Sequence, residues 1–216
     1  MKLIQLTLFV ACCIAGSAAA QESEWKLRRS ADGLKVYHRK AEHSNINELK
    51  IEAILDGSLS TVVAVLRDVA AYPEWIYKCI HAERLKPPTE TTGLYYSQIE
   101  FPWPLSNRDF IARSKMWQDP QTKHVFIEVK SDPRHLAEMK DLVRIEQMTL
   151  KYELIPLPGG KKVKMLYYLH SDPGGVLPSW LVNMALDSGP LNTIKGLRGM
   201  LQRQDYQQSR LSFLQE

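Results

Sequence analysis

The chain has 216 residues, 44% of them hydrophobic and 24% charged, which is the make-up of an ordinary globular protein with enough length for one sizeable core. Its 28 Lys and Arg against 24 Asp and Glu leave a net charge of only +4. That surplus, with no basic run interleaved with aromatics, makes no case for nucleic acid and leaves only weak attraction to an anionic membrane surface.

Residues 1–20 read as a secretory signal peptide. Lys2 is a short positive start, residues 3–14 are apolar, and Ala18-Ala19-Ala20 is a small-residue cleavage site before Gln21. The apolar run is too short for a typical membrane span. The expectation is an exported protein, periplasmic or secreted after cleavage near Ala20, with one domain over 21–216 and a core over about 24–204. Cys12 and Cys13 fall inside the leader, where Phe9-Val10-Ala11 is a poor lead-in for a lipid anchor on Cys12. The mature chain keeps only Cys79, so no internal disulfide can form; a small buried hydrophobe is its expected role.

Trp25 and Leu27 open the domain as a short helical or capping segment, followed by an Asp32-Gly33 turn and a strand over 34–40. Residues 45–55 alternate cleanly, Leu49, Ile51 and Ala53 against Glu48, Lys50 and Glu52, as in a half-buried antiparallel strand. Ser58 is placed to cap a helix through Val69 whose buried stripe is Leu59, Val62, Val63, Leu66 and Val69. Tyr72-Pro73-Glu74-Trp75 ends it, with Trp75 in the core. Strands then follow over 79–85, 94–101, 108–117, 123–130, 142–154 and 161–170, with a polar loop at 131–141. The last segment, from Pro178 to about Arg203, is a helix with an apolar stripe at Leu177, Leu181, Met184, Leu191, Ile194 and Leu201, and Ser188 in its gap. Pro178 suits the first helical position, and Pro190 inside the helix predicts a kink.

A strand pair, helical segments, a meander and one terminal helix make an α+β protein, with no alternation of the kind that builds a parallel sheet. Seven to nine antiparallel strands would curl, and the terminal helix is the object available to fill the curl.

The search for chemistry returns little. The six histidines, His38, His43, His81, His124, His135 and His170, form no ligand pair with metal spacing, so no metal is expected. There is no G-x-S-x-G elbow, phosphate-binding loop or dinucleotide fingerprint, and no cofactor or catalytic residue is assigned. Tyr96, Gln98 and Glu100 share one strand face; if inward, they are a structural polar network or the polar end of a ligand pocket. Alternatively Gln98 and Glu100 face solvent and Tyr95, Ile99 and Phe101 are inside. Phe110, Ala112, Ser114 and Met116 share another face, with Arg113 opposite; Val163, Met165, Tyr167 and Leu169 share a third.

Trp103-Pro104-Leu105-Ser106-Asn107-Arg108-Asp109-Phe110 resembles the W-P-x-x-x-R-D-F run of START domains, lipid-transfer domains named after the steroidogenic acute regulatory protein. Asp68 with 72–75, Gly174-Gly175-Val176-Leu177-Pro178, Trp25 and 33–37 support the resemblance, which spans nearly the whole mature chain of what reads as a bacterial exported member. It implies a helix-grip fold, a curved antiparallel sheet around a long C-terminal helix, with a tunnel for one lipid (phospholipid, fatty acyl or sterol-like) and carriage without catalysis. The implied lining is Tyr96, Gln98, Phe110, Ser114, Met116, Tyr167, Met184, Ser188 and Leu191. Trp103, Arg108 and Asp109 would be structural, and the loops at 102–107 and 131–141 with the helix near Pro190 the gate. The implied partners are a lipid and, transiently, a membrane, for a monomer. The rival readings are a helix-grip enzyme, cyclase- or hydrolase-like, acting on a hydrophobic substrate, and an interaction module with a filled core.

Overall fold

A computed structural model describes residues 24–42 and 44–216. The leader, with Cys12 and Cys13, and His43 lie outside the described residues. One ten-stranded sheet runs, by residue numbers, 26–31, 34–39, 48–56, 162–172, 147–156, 125–131, 107–118, 92–99 and 79–84, with 142–144 beside 107–118.

The first hairpin corrects the sequence reading. Trp25 and Leu27 do not start a helix: β1 (Lys26–Ala31) pairs antiparallel with β2 (Leu34–Arg39). Asp32 and Gly33 both take positive φ, 52° and 69°, the geometry of a tight turn whose twist matches the flanking strands. Every side chain of β1 is exposed, so backbone pairing alone recruits it. Trp25 instead meets Arg39, whose guanidinium carbon lies 4.7 Å from its ring centroid. β3 (Glu48–Asp56) buries Leu49, Ile51, Ala53 and Leu55 against the core and pairs with β2 and with the strand at 162–172.

Helix α1 (Leu59–Arg67) starts where Ser58 Oγ accepts a hydrogen bond from the Thr61 N–H at 3.2 Å. Its buried stripe, Leu59, Val62, Val63 and Leu66, covers the concave side of the sheet. A 3-10 turn (Val69–Ala71) and the one-turn α2 (Tyr72–Trp75) follow. The meander is β4 (Cys79–Arg84), β5 (Thr92–Ile99), β6 (Asn107–Gln118) and β7 (Val125–Ser131).

The single strand expected over 142–154 is two. β8 (Leu142–Arg144) lies parallel to the start of β6, and β9 (Gln147–Pro156) joins β7 to β10 (Lys162–Asp172). At the break sits the buried Arg144, the last residue of β8, in parallel register with Asp109 of β6 and ion-paired to it. This split and β1 raise the strand count to ten, above the expected seven to nine.

Helix α3 (Ser179–Met200) runs unbroken through Gly189-Pro190, although Pro190 has no N–H for the Leu186 carbonyl. Pro178 is its N-cap rather than its first residue. Leu191, Ile194, Leu197, Met200 and Leu201 form its buried face. A Cβ on Gly196 would lie 2.3 Å from the Trp75 carbonyl oxygen, so only glycine lets α3 sit on α2. Beyond α3, α4 (Gln204–Gln207) leads into a segment packed on α1, where the Glu216 carboxylate accepts from the Leu59 and Ser60 N–H groups, each at 3.0 Å. No helix among the described residues is long and apolar enough to cross a membrane.

Candidate functional site

Between the concave side of the sheet, α1, α2 and α3 lies a cavity of about 230 Å³. β6 supplies Phe110, Ser114 and Met116, β7 supplies Ile127 and Val129, β9 supplies Leu150 and Tyr152, and β10 supplies Tyr167 and Leu169. α1 and α2 close it with Leu66, Tyr72 and Trp75, and among the described residues α3 contributes Thr193. Antiparallel pairing explains the convergence. Residues directly opposite share a face, and Ser114 pairs with Val129, Met116 with Ile127, and Tyr167 with Tyr152.

Aromatic edges set the shape of the interior. Tyr72 meets Tyr95 edge-on at 5.5 Å and Trp75 at 5.6 Å, and Tyr152 meets Tyr167 at 5.3 Å. The Tyr72 hydroxyl donates to the Leu66 carbonyl at 2.8 Å. Burial pushes the phenols of Tyr72, Tyr95, Tyr152 and Tyr167 above their ordinary range, so all four stay neutral at physiological pH. Among the described residues the lining holds no carboxylate, histidine or cysteine. Cys79 is buried, its thiol pushed up to about 11 by desolvation. No group of three or more His, Cys, Asp or Glu is placed to hold a metal among the described residues.

Of the residues expected along the tunnel, Phe110, Ser114, Met116 and Tyr167 line the cavity. Tyr96 and Gln98 do not, which corrects their place in the lining and favours the alternative parity of β5, with Tyr95 and Ile99 inward. Tyr96 lies on the other face in a small second core with Leu94, Ile111 and Leu136, accepts from Gln98 Nε2 at 2.9 Å and donates to Met139 Sδ at 3.3 Å. Ser188 is exposed, so it does not fill the apolar stripe. Leu191 is buried but belongs to the β1–β2 side, beside Leu34. The Met184 side chain lies outside what is described. Arg113 points outward to Asp132 at 2.7 Å.

The W-P-x-x-x-R-D-F run builds a clasp beneath the cavity. Arg108, 2% exposed, donates to the carbonyls of Ser106, Pro173 and Gly174 and lies 4.1 Å over the Phe101 ring, tying two loops together. Asp109 takes a two-pronged ion pair from Arg144 at 2.8 and 2.9 Å. Arg144 then donates to the carbonyls of Pro133, Leu136 and Ala137, which shapes the 132–141 loop. Sequence reasoning missed Arg144, although a lone charge within Leu142-Val143-Arg144-Ile145 was a signal. Trp103 is 93% exposed, which corrects the structural role expected of it: so open a ring cannot anchor the loop by packing.

The comparisons with known proteins agree with this geometry. A START domain model matches residues 10–207. The chain is 29% identical over 203 residues to an uncharacterised protein of Pseudomonas aeruginosa, covering 93% of this chain and 98% of that one. It is 25% identical to the human phosphatidylcholine transfer protein over 194 residues, 87% of this chain and 88% of the relative. Among solved structures, a STAR-related lipid transfer protein from Xanthomonas axonopodis superposes with a TM-score of 0.76 at 34% identity, covering 83% of this chain and 99% of that one. Human STARD10 superposes at 0.73 and 23% identity, over 84% and 74% of the two chains, a likeness of fold.

Proposed function

We propose, for a chain that belongs to the START domain family, that it binds one hydrophobic lipid in the cavity and carries it between membranes without altering it. The observation that supports this reading is the lining itself. It is mostly apolar and aromatic, with Arg67 and Arg84 among its polar members, and among the described residues it holds no carboxylate, histidine or thiol. Each methylene that enters leaves water with a gain of about 0.8 kcal/mol. A relative's name, phosphatidylcholine transfer protein, makes a phospholipid the first ligand to try.

The volume supports a gate. About 230 Å³ falls below the ~300–1,000 Å³ of common small-molecule pockets, so a ligand larger than one hydrocarbon chain requires α3 or its neighbouring loops to shift. Pro190 weakens α3 at mid-length by one hydrogen bond, which makes it the natural place to yield. Pro190→Ala is expected to slow lipid transfer while leaving the thermal midpoint in place or raising it; equal losses of both would remove the gating role.

Trp103, Val176 and Trp180 are 93%, 103% and 67% exposed, around the loops that Arg108 ties together. Tryptophan suits the membrane interface, and this rim is the surface we assign to transient bilayer contact by a monomer. Residues 1–20 carry the features of an export signal, which supports a carrier in the periplasm or outside the cell. The test is solvent extraction of the protein purified from its native host, followed by mass spectrometry. A stoichiometric lipid is expected, and an empty extract from folded protein overturns the reading.

A further inference from the structure

One end of the cavity is open, and its rim is cationic. Arg84 is the last residue of β4 and pairs directly with Tyr95, so its side chain leaves the sheet on the concave face. It lines the cavity and is exposed. Arg67, the last residue of α1, lines the same end, together with Pro88, Thr91, Thr92 and Gly93.

Among the described residues the two differ from four of the chain's other arginines. Arg39, Arg113, Arg144 and Arg203 each meet a carboxylate. Arg67 and Arg84 have none within ion-pair distance and bond only to backbone. Arg67 donates to the carbonyls of Thr89 and Glu90, and its guanidinium carbon lies 5.0 Å over the Phe213 ring. Arg84 donates to the Arg67 carbonyl, one bond from a group with five N–H donors. Burial, then the like charge of Arg84, push Arg67 below its ordinary value; the Glu90 carboxylate opposes them. The Arg84 charge also reaches inward, working against burial at the Tyr72 phenol. Two cations held together, with Glu90 acting on Arg67 only from beyond ion-pair distance, cost free energy at the mouth of a largely apolar cavity unless an anion arrives between them.

We infer that Arg67 and Arg84 form a subsite for an oxyanion headgroup, a phosphate or carboxylate, on the lipid whose hydrocarbon chain occupies the cavity. A guanidinium offers paired donors that match such oxygens. Arg67 is the fixed half, held by two carbonyls and Phe213; Arg84, with most donors unspent, is the half that closes on the headgroup. The ligand is therefore an amphiphile oriented head-outward at the 85–93 loop. This rests on the lipid-binding reading above and deepens it.

The experiment compares 1-myristoyl-lysophosphatidate with 1-monomyristoylglycerol, which shares its tail and glycerol and lacks the phosphate. Both are titrated into delipidated full-length protein by displacement of a fluorescent fatty-acid probe, with glycerol 3-phosphate as the arm that has a head and no tail. Lysophosphatidate is expected to bind 10- to 100-fold more tightly than monomyristoylglycerol, the range of a hydrogen bond to a charged group. The ratio should shrink as salt rises. Glycerol 3-phosphate is expected to bind at least 100-fold more weakly than lysophosphatidate. Arg84→Gln should bring the lipid ratio to within about threefold of one, with Arg84→Lys intermediate and both variants checked for an unchanged fold by thermal melting. Equal affinity of the two amphiphiles for the native protein overturns the headgroup site while lipid binding stands. So does a ratio untouched by Arg84→Gln, or glycerol 3-phosphate binding as tightly as lysophosphatidate. Failure of both amphiphiles to bind defeats the lipid reading itself.

Discussion

Two groups of arginines sit at opposite ends of the same cavity wall, and their partners differ. Below, Arg108 and Arg144 are 2% and 6% exposed, and their donors are spent on carbonyls and on Asp109. At the mouth, Arg67 and Arg84 are partly or fully exposed, lack a carboxylate partner among the described residues, and keep donors free. The residue type is the same at both ends. A guanidinium whose valence is satisfied internally fixes loops; one left unsatisfied beside an apolar void is available to a ligand. The W-P-x-x-x-R-D-F run, which carries the resemblance, marks the first group and says nothing about the second.

The largest effect that would break this contrast belongs to Asp109. Removing one partner of a buried ion pair strands the other charge, which costs about 3–5 kcal/mol. Asp109→Ala should lower unfolding stability by that amount in urea denaturation and loosen the 132–141 loop to proteolysis, because Arg144 holds both. A loss below 1 kcal/mol would mean that the carbonyls of Pro133, Leu136 and Ala137 suffice for Arg144 and that the clasp is not a unit.

Between the two groups stands the tyrosine wall, and alkaline pH separates it from the arginines. Burial raises the phenols of Tyr72, Tyr95, Tyr152 and Tyr167 above the value near 10 of an unfolded chain. The folded state keeps protons that the unfolded state has lost, so stability is fully present below about pH 10 and declines as pH rises beyond it. Cys79, pushed up to about 11 from an ordinary 9, adds a decline that starts near pH 9. Arginine stays charged throughout. The thermal midpoint should be flat from pH 7 to about 9 and fall above, while the preference for lysophosphatidate over monomyristoylglycerol holds across the flat range. A midpoint unchanged at pH 11 would show that these phenols are not held neutral by the fold.

What the sequence disclosed follows the same physical line. β6 has one face on the cavity and one outside over much of its length, so alternation placed Phe110, Ser114 and Met116 together. β5 is buried on both faces at Leu94, Tyr95, Tyr96 and Ser97, so its alternation carried no direction. The cover on its far side comes from a loop whose course depends on Arg144. Likewise the stripe on α3 was correct at Ile194 and Leu201, yet a stripe tells which residues are buried and not which wall they meet: Leu191 turned to β2, and Thr193 to the cavity. Arg84 was illegible for a related reason. Its face is set by its register against Tyr95, and register across the 85–93 loop is a tertiary property.

Register also predicts how little Arg84 should matter to the fold. Its side chain is exposed, makes one hydrogen bond to a carbonyl, and has a terminal nitrogen 3.8 Å from where a Cβ on Gly93 would stand. Surface substitutions with so few dependants fall within about 0.5 kcal/mol of neutral. Relief from the like charge of Arg67 offsets part of the lost bond. Arg84→Gln should therefore leave the urea midpoint almost unmoved, an order of magnitude below the effect of Asp109→Ala, while it changes what the cavity prefers to hold. If stability fell as far as it does at Asp109, the mouth would be another clasp, and the distinction between spent and unspent guanidinium groups would not separate structure from binding in this protein.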